Sequence, residues 1–169
     1  GTTGTYQTIG DVTLGDGSAS AVSFSSNLDV QSGNLDLFTL NAAELDGQTT
    51  VDGTLTATFG VNIGSGGSLI GSGFVSGDVT VASGGGVNPG AAGTGNTGSL
   101  LLSGLTLNSG STATFDLNDA SSPGTGYDQI ETISGAAVAG TLSINAGKSI
   151  SVGDQFTIVN NLSANPTSG

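Results

Sequence analysis

The sequence predicts an all-β protein, a parallel β-solenoid (β-helix) with about three short strands per coil of roughly 18–21 residues. Glycine supplies 31 of the 169 residues, and each glycine inside a helix costs about 1 kcal/mol relative to alanine. Short apolar segments alternate with Gly, Ser and Asp-Gly sequences that favour turns. These apolar segments also recur at a regular spacing, as one coil of a solenoid requires.

The spacing is clearest in the first half of the chain. Taking every third apolar segment gives three series, each with a step near the length of one coil. The series are Leu14, Leu35 with Leu37, Leu55 and Val75; Phe24, Leu45, Ile63 and Val81; and Val30, Val51, Leu69 and Val87. Three stacked columns of inward side chains and a triangular cross-section follow, in a solenoid of about seven or eight coils.

The whole chain, 1–169, is predicted to be a single domain. Residues 1–87 form regular coils, and residues 88–98, NPGAAGTGNTG, form a loop without a large apolar side chain other than Pro and Ala. Residues 99–159 form C-terminal coils with longer strands, at 99–107, 112–117, 129–133, 137–144, 150–152 and 155–159. Residues 119–126 form a second loop, and 160–169 are a polar tail.

The charge is strongly one-sided, with 13 acidic residues, one Lys, no Arg and no His, for a net charge of −12. Nucleic acid is excluded as a partner because phosphate binding needs clustered Lys and Arg. No apolar run approaches the roughly 18 residues of a membrane span. Cys is absent, so disulfides and thiolate metal sites are excluded as well.

Residues 64–90, GSGGSLIGSGFVSGDVTVASGGGVNPG, resemble the autotransporter-associated β-strand repeat of bacterial secreted passenger domains. The positions that carry the resemblance are Gly67, Leu69, Gly71, Gly73, Val75, Gly77, Val79, Thr80, Val81, Ser83, Gly84, Gly85, Val87, Pro89 and Gly90. The resemblance implies an exported bacterial protein, extracellular or on the cell surface, and it carries no catalytic residues. It also implies a right-handed β-helix, in agreement with the general chirality of β-crossovers. The first residue is Gly1, and we expect a processed piece of a longer exported precursor.

Catalysis is not expected. Without His and Cys, the Ser-His-Asp and Cys-His arrangements and the usual zinc sites cannot form. Paired carboxylates remain, as in glycosidases, and Asp116 with Asp119 and Asp128 with Glu131 are the best pairs. A β-helix enzyme acting on acidic polysaccharides would need several basic residues, and Lys148 is the only one. We therefore interpret these carboxylates as solvated surface charge.

The same region is a candidate metal site. Asp116, Asn118, Asp119 and Asp128 flank one loop, and Ca²⁺ takes six to eight oxygen ligands of these types. A structural Ca²⁺ is the one cofactor that the sequence suggests. Neither an EF-hand pattern nor the calcium-binding nonapeptide repeat occurs, so hydrated turn residues are the alternative interpretation.

The aromatic residues divide into two groups. Tyr6 and Tyr127 are candidates for exposed contacts with a glycan. The phenylalanines in strand patterns are predicted to be core: Phe24, Phe59, Phe74, Phe115 and Phe156.

The function predicted from these observations is structural. A rigid extracellular solenoid would associate end to end with further copies through β-prone terminal segments, 2–9 starting at Thr2 and 155–160 ending at Asn160. No amphipathic capping helix is visible at either end, and a head-to-tail contact that does not close makes a filament. The alternatives are the stalk of an autotransporter-type adhesin that binds a host surface or glycan, and a polysaccharide-active β-helix enzyme.

Overall fold

The structure is a computed structural model that describes residues 4–16, 18, 21–91, 93–147, 149–164 and 167–168. Within these residues the regular elements are β-strands and no helix occurs, so the prediction of an all-β protein is confirmed. Some predicted features lie outside the described residues. They are Thr2 of the N-terminal segment, Gly17 of one Asp-Gly turn and the single cation, Lys148.

Eighteen strands follow one another along the described chain. They are short because Gly, Ser and Asp-Gly turns interrupt them every few residues. Their bounds are β1 (Thr5–Ile9), β2 (Val12–Leu14), β3 (Ser23–Phe24), β4 (Asn27–Ser32), β5 (Asn34–Leu37), β6 (Ala43–Leu45), β7 (Gln48–Val51), β8 (Thr54–Thr56), β9 (Val61–Ile63), β10 (Ser68–Gly71), β11 (Phe74–Val81), β12 (Gly86–Pro89), β13 (Ser99–Leu107), β14 (Thr112–Leu117), β15 (Gln129–Thr132), β16 (Ala136–Val138), β17 (Thr141–Ala146) and β18 (Val159–Asn161).

The strands form two sheets, and all the pairs between these strands are parallel in the described part of the chain. Sheet A has seven strands in the order β1-β4-β7-β10-β12-β14-β17. Sheet B has eleven, with β2-β5-β8-β11-β13-β15-β18 as one row and β3, β6, β9 and β16 beside it. Two of the three predicted columns therefore share one sheet, because the long strands β11 and β13 each run through both rows.

The chain visits sheet A, then the first row of sheet B, then its second row, and then returns to sheet A. We call one such circuit a layer; the seven strands of sheet A begin seven layers. The step from Leu69 to its partner Val87 in the next layer falls within the predicted coil length. The step from Ala113 to its partner Leu142 is longer than predicted, because the 119–126 loop lies between these strands.

Two of the predicted columns are confirmed, and the third is wrong at one step. Leu35, Leu55 and Val75 pair in successive layers. In the third column Leu69 pairs with Thr49 and not with Val51. Thr49 is 1% exposed, and its hydroxyl has no hydrogen-bond partner among the described residues. An apolar pattern cannot reveal this position, because a polar residue occupies an inward site.

Inward side chains from both sheets form one continuous apolar core. Among the predicted core aromatics, Phe24 and Phe115 are buried. Phe59 is 57% exposed, because it stands in the turn after β8, and the half-buried Phe74 points outward from β11. Tyr127 is buried rather than exposed, since its ring packs edge-on against Phe156 at 5.2 Å between centroids.

The C-terminal strands match the prediction in part. β13 and β14 have the predicted bounds, but the strand predicted at 137–144 is divided between β16 and β17. No strand forms at 150–152, and the strand predicted at 155–159 is replaced by β18, which starts only at Val159. A turn precedes it: the Ser151 N–H donates to the Asp154 carboxylate, and Gly153 has φ +105°. The predicted 88–98 loop starts later, because β12 ends at Pro89.

Polar side chains at outward-pointing strand positions also pair between layers. In four such pairs, an amide of one layer donates a hydrogen bond to a carboxylate of an adjacent layer, at 2.7 to 3.0 Å. The donors and acceptors are Gln7 with Asp29, Asn62 with Glu44, Asn145 with Asp116, and Asn160 with Glu131. These contacts follow from parallel stacking, which places outward residues of adjacent layers directly beside each other.

Candidate functional site

The residues predicted to bind calcium surround the loop between β12 and β13. Asp116 lies in β14 and Asp128 immediately precedes β15, and their exposed fractions are 1% and 0%. Buried carboxylates are uncommon, since an ion without partners in the protein interior is strongly destabilising. Their hydrogen-bond partners therefore define what this site does.

Asp128 joins the loop to β14. Its Oδ1 accepts a hydrogen bond from the Gly98 N–H and its Oδ2 accepts one from the Asp116 N–H, both at 2.7 Å. Burial raises the pKa of the Asp128 carboxyl to about 6, against the lowering effect of these two backbone hydrogen bonds, and the nearby Asp116 carboxylate raises it further. The side chain thus serves as a buried anchor at the end of the loop.

Asp116 and Asn118 hold the middle of the loop. The Gly95 N–H donates to Asp116 Oδ2 at 2.7 Å, and Asn118 Nδ2 donates to the Gly95 carbonyl oxygen at 2.9 Å. Asn145 of β17 donates to the other oxygen of Asp116 at 2.8 Å. Gly95 is therefore hydrogen-bonded through both its N–H and its C=O. Asn145 connects this arrangement to the next layer through its hydrogen bond to Asp116.

Asp119 belongs to a different turn. Its Oδ1 accepts the Ser121 N–H at 2.9 Å. The hydroxyl of Ser121 and then its backbone N–H hold the pKa of the Asp119 carboxyl below its ordinary value. The four predicted residues are thus brought to one region, but Asp116, Asn118 and Asp128 hydrogen-bond to the loop between β12 and β13, and Asp119 closes its own turn.

These contacts bear on the calcium prediction. Each of the four carboxylate oxygens of Asp116 and Asp128 accepts one N–H hydrogen bond, so a calcium ion would have to share these oxygens with the N–H donors. Within the described ranges, no group of three or more His, Cys, Asp or Glu side chains is arranged to hold a metal ion. Calcium binding stays a prediction, and bound calcium would make EDTA lower the melting temperature.

The carboxylate pairs suggested for catalysis are split between separate networks. Asp116 contacts Asp128 through its backbone N–H, whereas Asp119 bonds to Ser121 and Glu131 accepts from Asn160 at 2.9 Å. A cavity of about 260 Å³ lies beside the loop and is lined in part by Asp116 and Asn145. The arrangement as a whole holds the loop against the body of the protein through hydrogen bonds.

The two ends of the stack form a second candidate site. We call β1, β2 and β3 the N-face, and β17 and β18 the C-face. β1 and β17 each have one pairing partner in sheet A, so one edge of each strand is unpaired among the described residues. Tyr6 is 59% exposed on the N-face, and Leu142 and Ile144 are each 45% exposed on the C-face. These side chains occupy the inward column of sheet A, and no further layer of the described chain covers them.

A third feature was not foreseen from the sequence. Phe38, Leu40 and Phe59 are about half exposed or more, and all stand in turns that join the two rows of sheet B. We call these three residues the apolar corner. Phe38 and Phe59 belong to consecutive layers, which places apolar side chains at the same corner twice in succession. The only local sequence signal that Phe59 stands in a turn is the glycine that follows it. In the structure Gly60 has φ +90°, a value that favours glycine.

Two further findings concern membrane-spanning helices and similarity to known proteins. Within the described residues, no helix has the length and apolar character that a membrane span requires. Comparisons of the chain with known protein families, with curated proteins and with solved structures gave no match.

Proposed function

We propose that the chain is a right-handed parallel β-solenoid of three-sided coils, each coil corresponding to one layer, and that it is a non-catalytic structural subunit. Copies join end to end into a filament on a bacterial surface or in an extracellular matrix. The parallel pairing of successive layers supports the solenoid, and right-handedness follows the general chirality of β-crossovers. Export to the cell exterior rests on the resemblance to autotransporter-associated repeats.

The observation that carries the filament proposal is that β1 and β17 each have one edge without a partner strand among the described residues. An edge strand presents a row of N–H and C=O groups that can pair with a further strand. Here the β1 edge and the β17 edge belong to the same sheet and run parallel, so β1 of one copy can continue the ladder beyond β17 of another. Head-to-tail contact of this kind does not close on itself and extends indefinitely.

The side chains at the two ends suit this join. Leu142 and Ile144 on the C-face and Tyr6 on the N-face lie in the same inward column, so stacking the faces would cover them. Burying apolar surface contributes about 25 cal/mol per Å². The net charge of −12 opposes association, and salt screens that repulsion over about 8 Å at physiological ionic strength. Assembly is therefore expected to increase with salt.

The test uses one variant for each face. Tyr6→Lys places a charge on the N-face and Ile144→Lys places one on the C-face, and both side chains are already exposed, so folding should survive. Each variant alone should stay monomeric in sedimentation velocity at high salt, while wild type elongates. A mixture of the two variants should stop at heterodimers, because one intact N-face meets one intact C-face. Wild-type protein that stays monomeric at millimolar concentration would refute the proposal, as would filaments formed by either variant.

Electron microscopy gives an independent check on the geometry. Seven stacked strands in sheet A, at about 4.8 Å per strand, give an axial length of roughly 34 Å per subunit. Continuous filaments should show that axial repeat, together with a fibre reflection at the strand spacing. A repeat well above the length of one subunit would mean that the faces do not stack directly.

A second candidate function is the stalk of an adhesin, and the apolar corner favours it. Exposed apolar residues grouped on one surface often mark sites of protein interaction. In that case Phe38→Ser with Phe59→Ser would abolish adhesion to host cells or matrix while leaving end-to-end assembly intact. The matched control is Val152→Ser, another exposed apolar residue. Adhesion that survives the double substitution would eliminate the corner as the contact surface.

A further inference from the structure

A long groove crosses the outer face of sheet B. Its volume is about 870 Å³, and its lining includes Asp11 of the first layer, Thr54 of the third and Glu131 of the sixth. Six successive layers are separated by five steps of about 4.8 Å, which makes the groove roughly 24 Å long. It runs along the stacking direction and therefore lies on the side of the molecule, away from the N-face and the C-face.

The floor of the groove is a ladder of outward side chains. Thr54, Phe74, Leu101 and Glu131 pair in register across four consecutive layers. Phe74 and Leu101 are large, apolar and half-buried, at outward positions where the neighbouring layers have polar residues. They make an apolar strip in the middle of a floor that is polar on both sides.

Glycine forms one wall. Gly53 and Gly73 stand at the turn from sheet A to sheet B in consecutive layers. A Cβ on Gly53 would lie 2.8 Å from the Gly33 carbonyl oxygen, and one on Gly73 would lie 2.2 Å from that of Gly53. These contacts exclude side chains from the stacked turns, so the wall is low and the groove is open to an extended ligand.

The charge of the groove selects the ligand class. Asp11, Asp52 and Glu131 line it, and no Lys or Arg does so within the described residues. One oxygen of Asp52 is held by the Ser72 N–H at 3.0 Å, and one of Asp11 by the Asn34 N–H at 2.9 Å. The carboxylates are therefore fixed in direction and can accept hydrogen bonds from a donor-rich ligand. A polyanion would be repelled.

The backbone of the floor argues against an added peptide strand. β8, β11 and β13 each pair with a strand on both sides, so their N–H and C=O groups are used within the sheet. Strand addition requires a free edge. A ligand on this face can be bound only by side chains, through apolar contact in the middle and hydroxyl and carboxylate groups around it.

We propose that this groove binds a linear polysaccharide of neutral or amino sugars. The apolar C–H face of one sugar ring packs on Phe74 and Leu101, and the hydroxyl or ammonium groups of flanking rings donate to Asp52 and Glu131. Thr54 contributes a hydroxyl between these contacts. The proposal does not depend on self-association, because a single subunit contains the whole groove.

The experiment is isothermal titration calorimetry of the full chain with three hexasaccharide probes. They are a β-1,4-glucose hexamer, a β-1,4-glucosamine hexamer, and a galacturonate hexamer as the anionic control. The test variant is Phe74→Thr, which copies the residue at the same ladder position of the preceding layer. The matched control is Val152→Thr, which changes an exposed apolar residue outside both the groove and the apolar corner to the same residue type. Asp52→Asn is a second test variant, since its amide oxygen can still accept the Ser72 N–H.

We expect binding of the glucose or the glucosamine hexamer, and none of the galacturonate hexamer. Phe74→Thr should weaken binding about tenfold, and Val152→Thr should leave it unchanged. Asp52→Asn should weaken binding of the glucosamine hexamer more than that of the glucose hexamer. The proposal is overturned by absence of binding of both non-acidic probes at millimolar concentration, by preference for galacturonate, or by equal losses in Phe74→Thr and Val152→Thr. Competition by an extended Ser/Thr-rich peptide with higher affinity than either sugar would also overturn it.

Discussion

Asp128 allows a direct test of whether burial or hydrogen bonding dominates at a buried carboxylate. Its two oxygens accept N–H groups at 2.7 Å, and hydrogen bonds to a charged group contribute about 1.5–3 kcal/mol each. Burial acts in the opposite direction and raises its pKa to about 6 from an ordinary value of 3.8. A raised pKa means that the folded protein favours the neutral acid, so burial outweighs the two bonds.

The sign of the pH dependence follows from that shift. The folded state binds the proton more tightly than the unfolded chain, so this carboxyl stabilises the fold most at low pH. Its contribution falls as pH rises from about 4 to about 6 and is constant above that. At about 1.36 kcal/mol per pKa unit, the loss between pH 4.5 and pH 7.5 is about 2 kcal/mol. The Asp116 carboxylate contributes to the shift through its negative charge.

The perturbation is Asp128→Asn, a neutral side chain of the same shape. Its amide oxygen accepts one of the two N–H groups, but its amide nitrogen cannot accept the other, which destabilises the variant by a similar amount at every pH. Between pH 4.5 and pH 7.5 the free energy of unfolding of wild type should fall by about 2 kcal/mol relative to that of the variant. Urea denaturation followed by circular dichroism at both pH values measures this. A stability difference between variant and wild type that is the same at both pH values, or that moves in favour of wild type as pH rises, would refute the reasoning.

Three further predictions concern stability measured by urea denaturation. Thr49→Val removes a buried hydroxyl that has no partner in the described part of the chain and should raise the free energy of unfolding by about 1 kcal/mol; a loss would mean that the hydroxyl is hydrogen-bonded. Gly73→Ala places a Cβ 2.2 Å from a backbone oxygen and should cost about 1–3 kcal/mol. Its matched control is Gly86→Ala, whose nearest contact is 3.7 Å and which should change stability by less than about 0.5 kcal/mol. Asp119→Asn should remove a contribution that is present above pH 4 and lost as pH falls, because Ser121 lowers the pKa of that carboxyl; a difference that grows on acidification would contradict this.

The sequence was informative wherever an inward position carried an apolar residue. The spacing of apolar residues correctly predicted that Leu35, Leu55 and Val75 pair in successive layers, because that spacing equals the number of residues in one layer. The third predicted column was wrong at Thr49. Threonine is β-branched and fills an inward position almost as well as valine, but a search for apolar residues does not detect it. The prediction for Phe59 was wrong for the opposite reason, because this apolar residue stands in an exposed turn and not in the core.

The candidate sites were less accessible from the sequence. Asp116 and Asp128 could be assigned to one loop, but their acceptor roles depend on N–H groups at Gly95 and Gly98 that come from an earlier layer. The groove depends on Phe74 meeting Leu101 across two consecutive layers. The loop between β12 and β13 makes the spacing between these two residues longer than the earlier repeats, so a fixed period does not predict their contact.

The amide-to-carboxylate contacts between layers bear on how an acidic stack keeps a single alignment. Two carboxylates placed one above the other at about 4.8 Å would repel by about 1 kcal/mol even in water. At Asp29, Glu44 and Glu131 the adjacent layer presents an amide instead. Sliding one layer along its neighbour by two residues would keep the inward and outward faces but break these pairs. The apolar core residues are similar from layer to layer and do not by themselves distinguish one register from another. The amide-to-carboxylate pairs at outward positions therefore favour the observed register between adjacent layers.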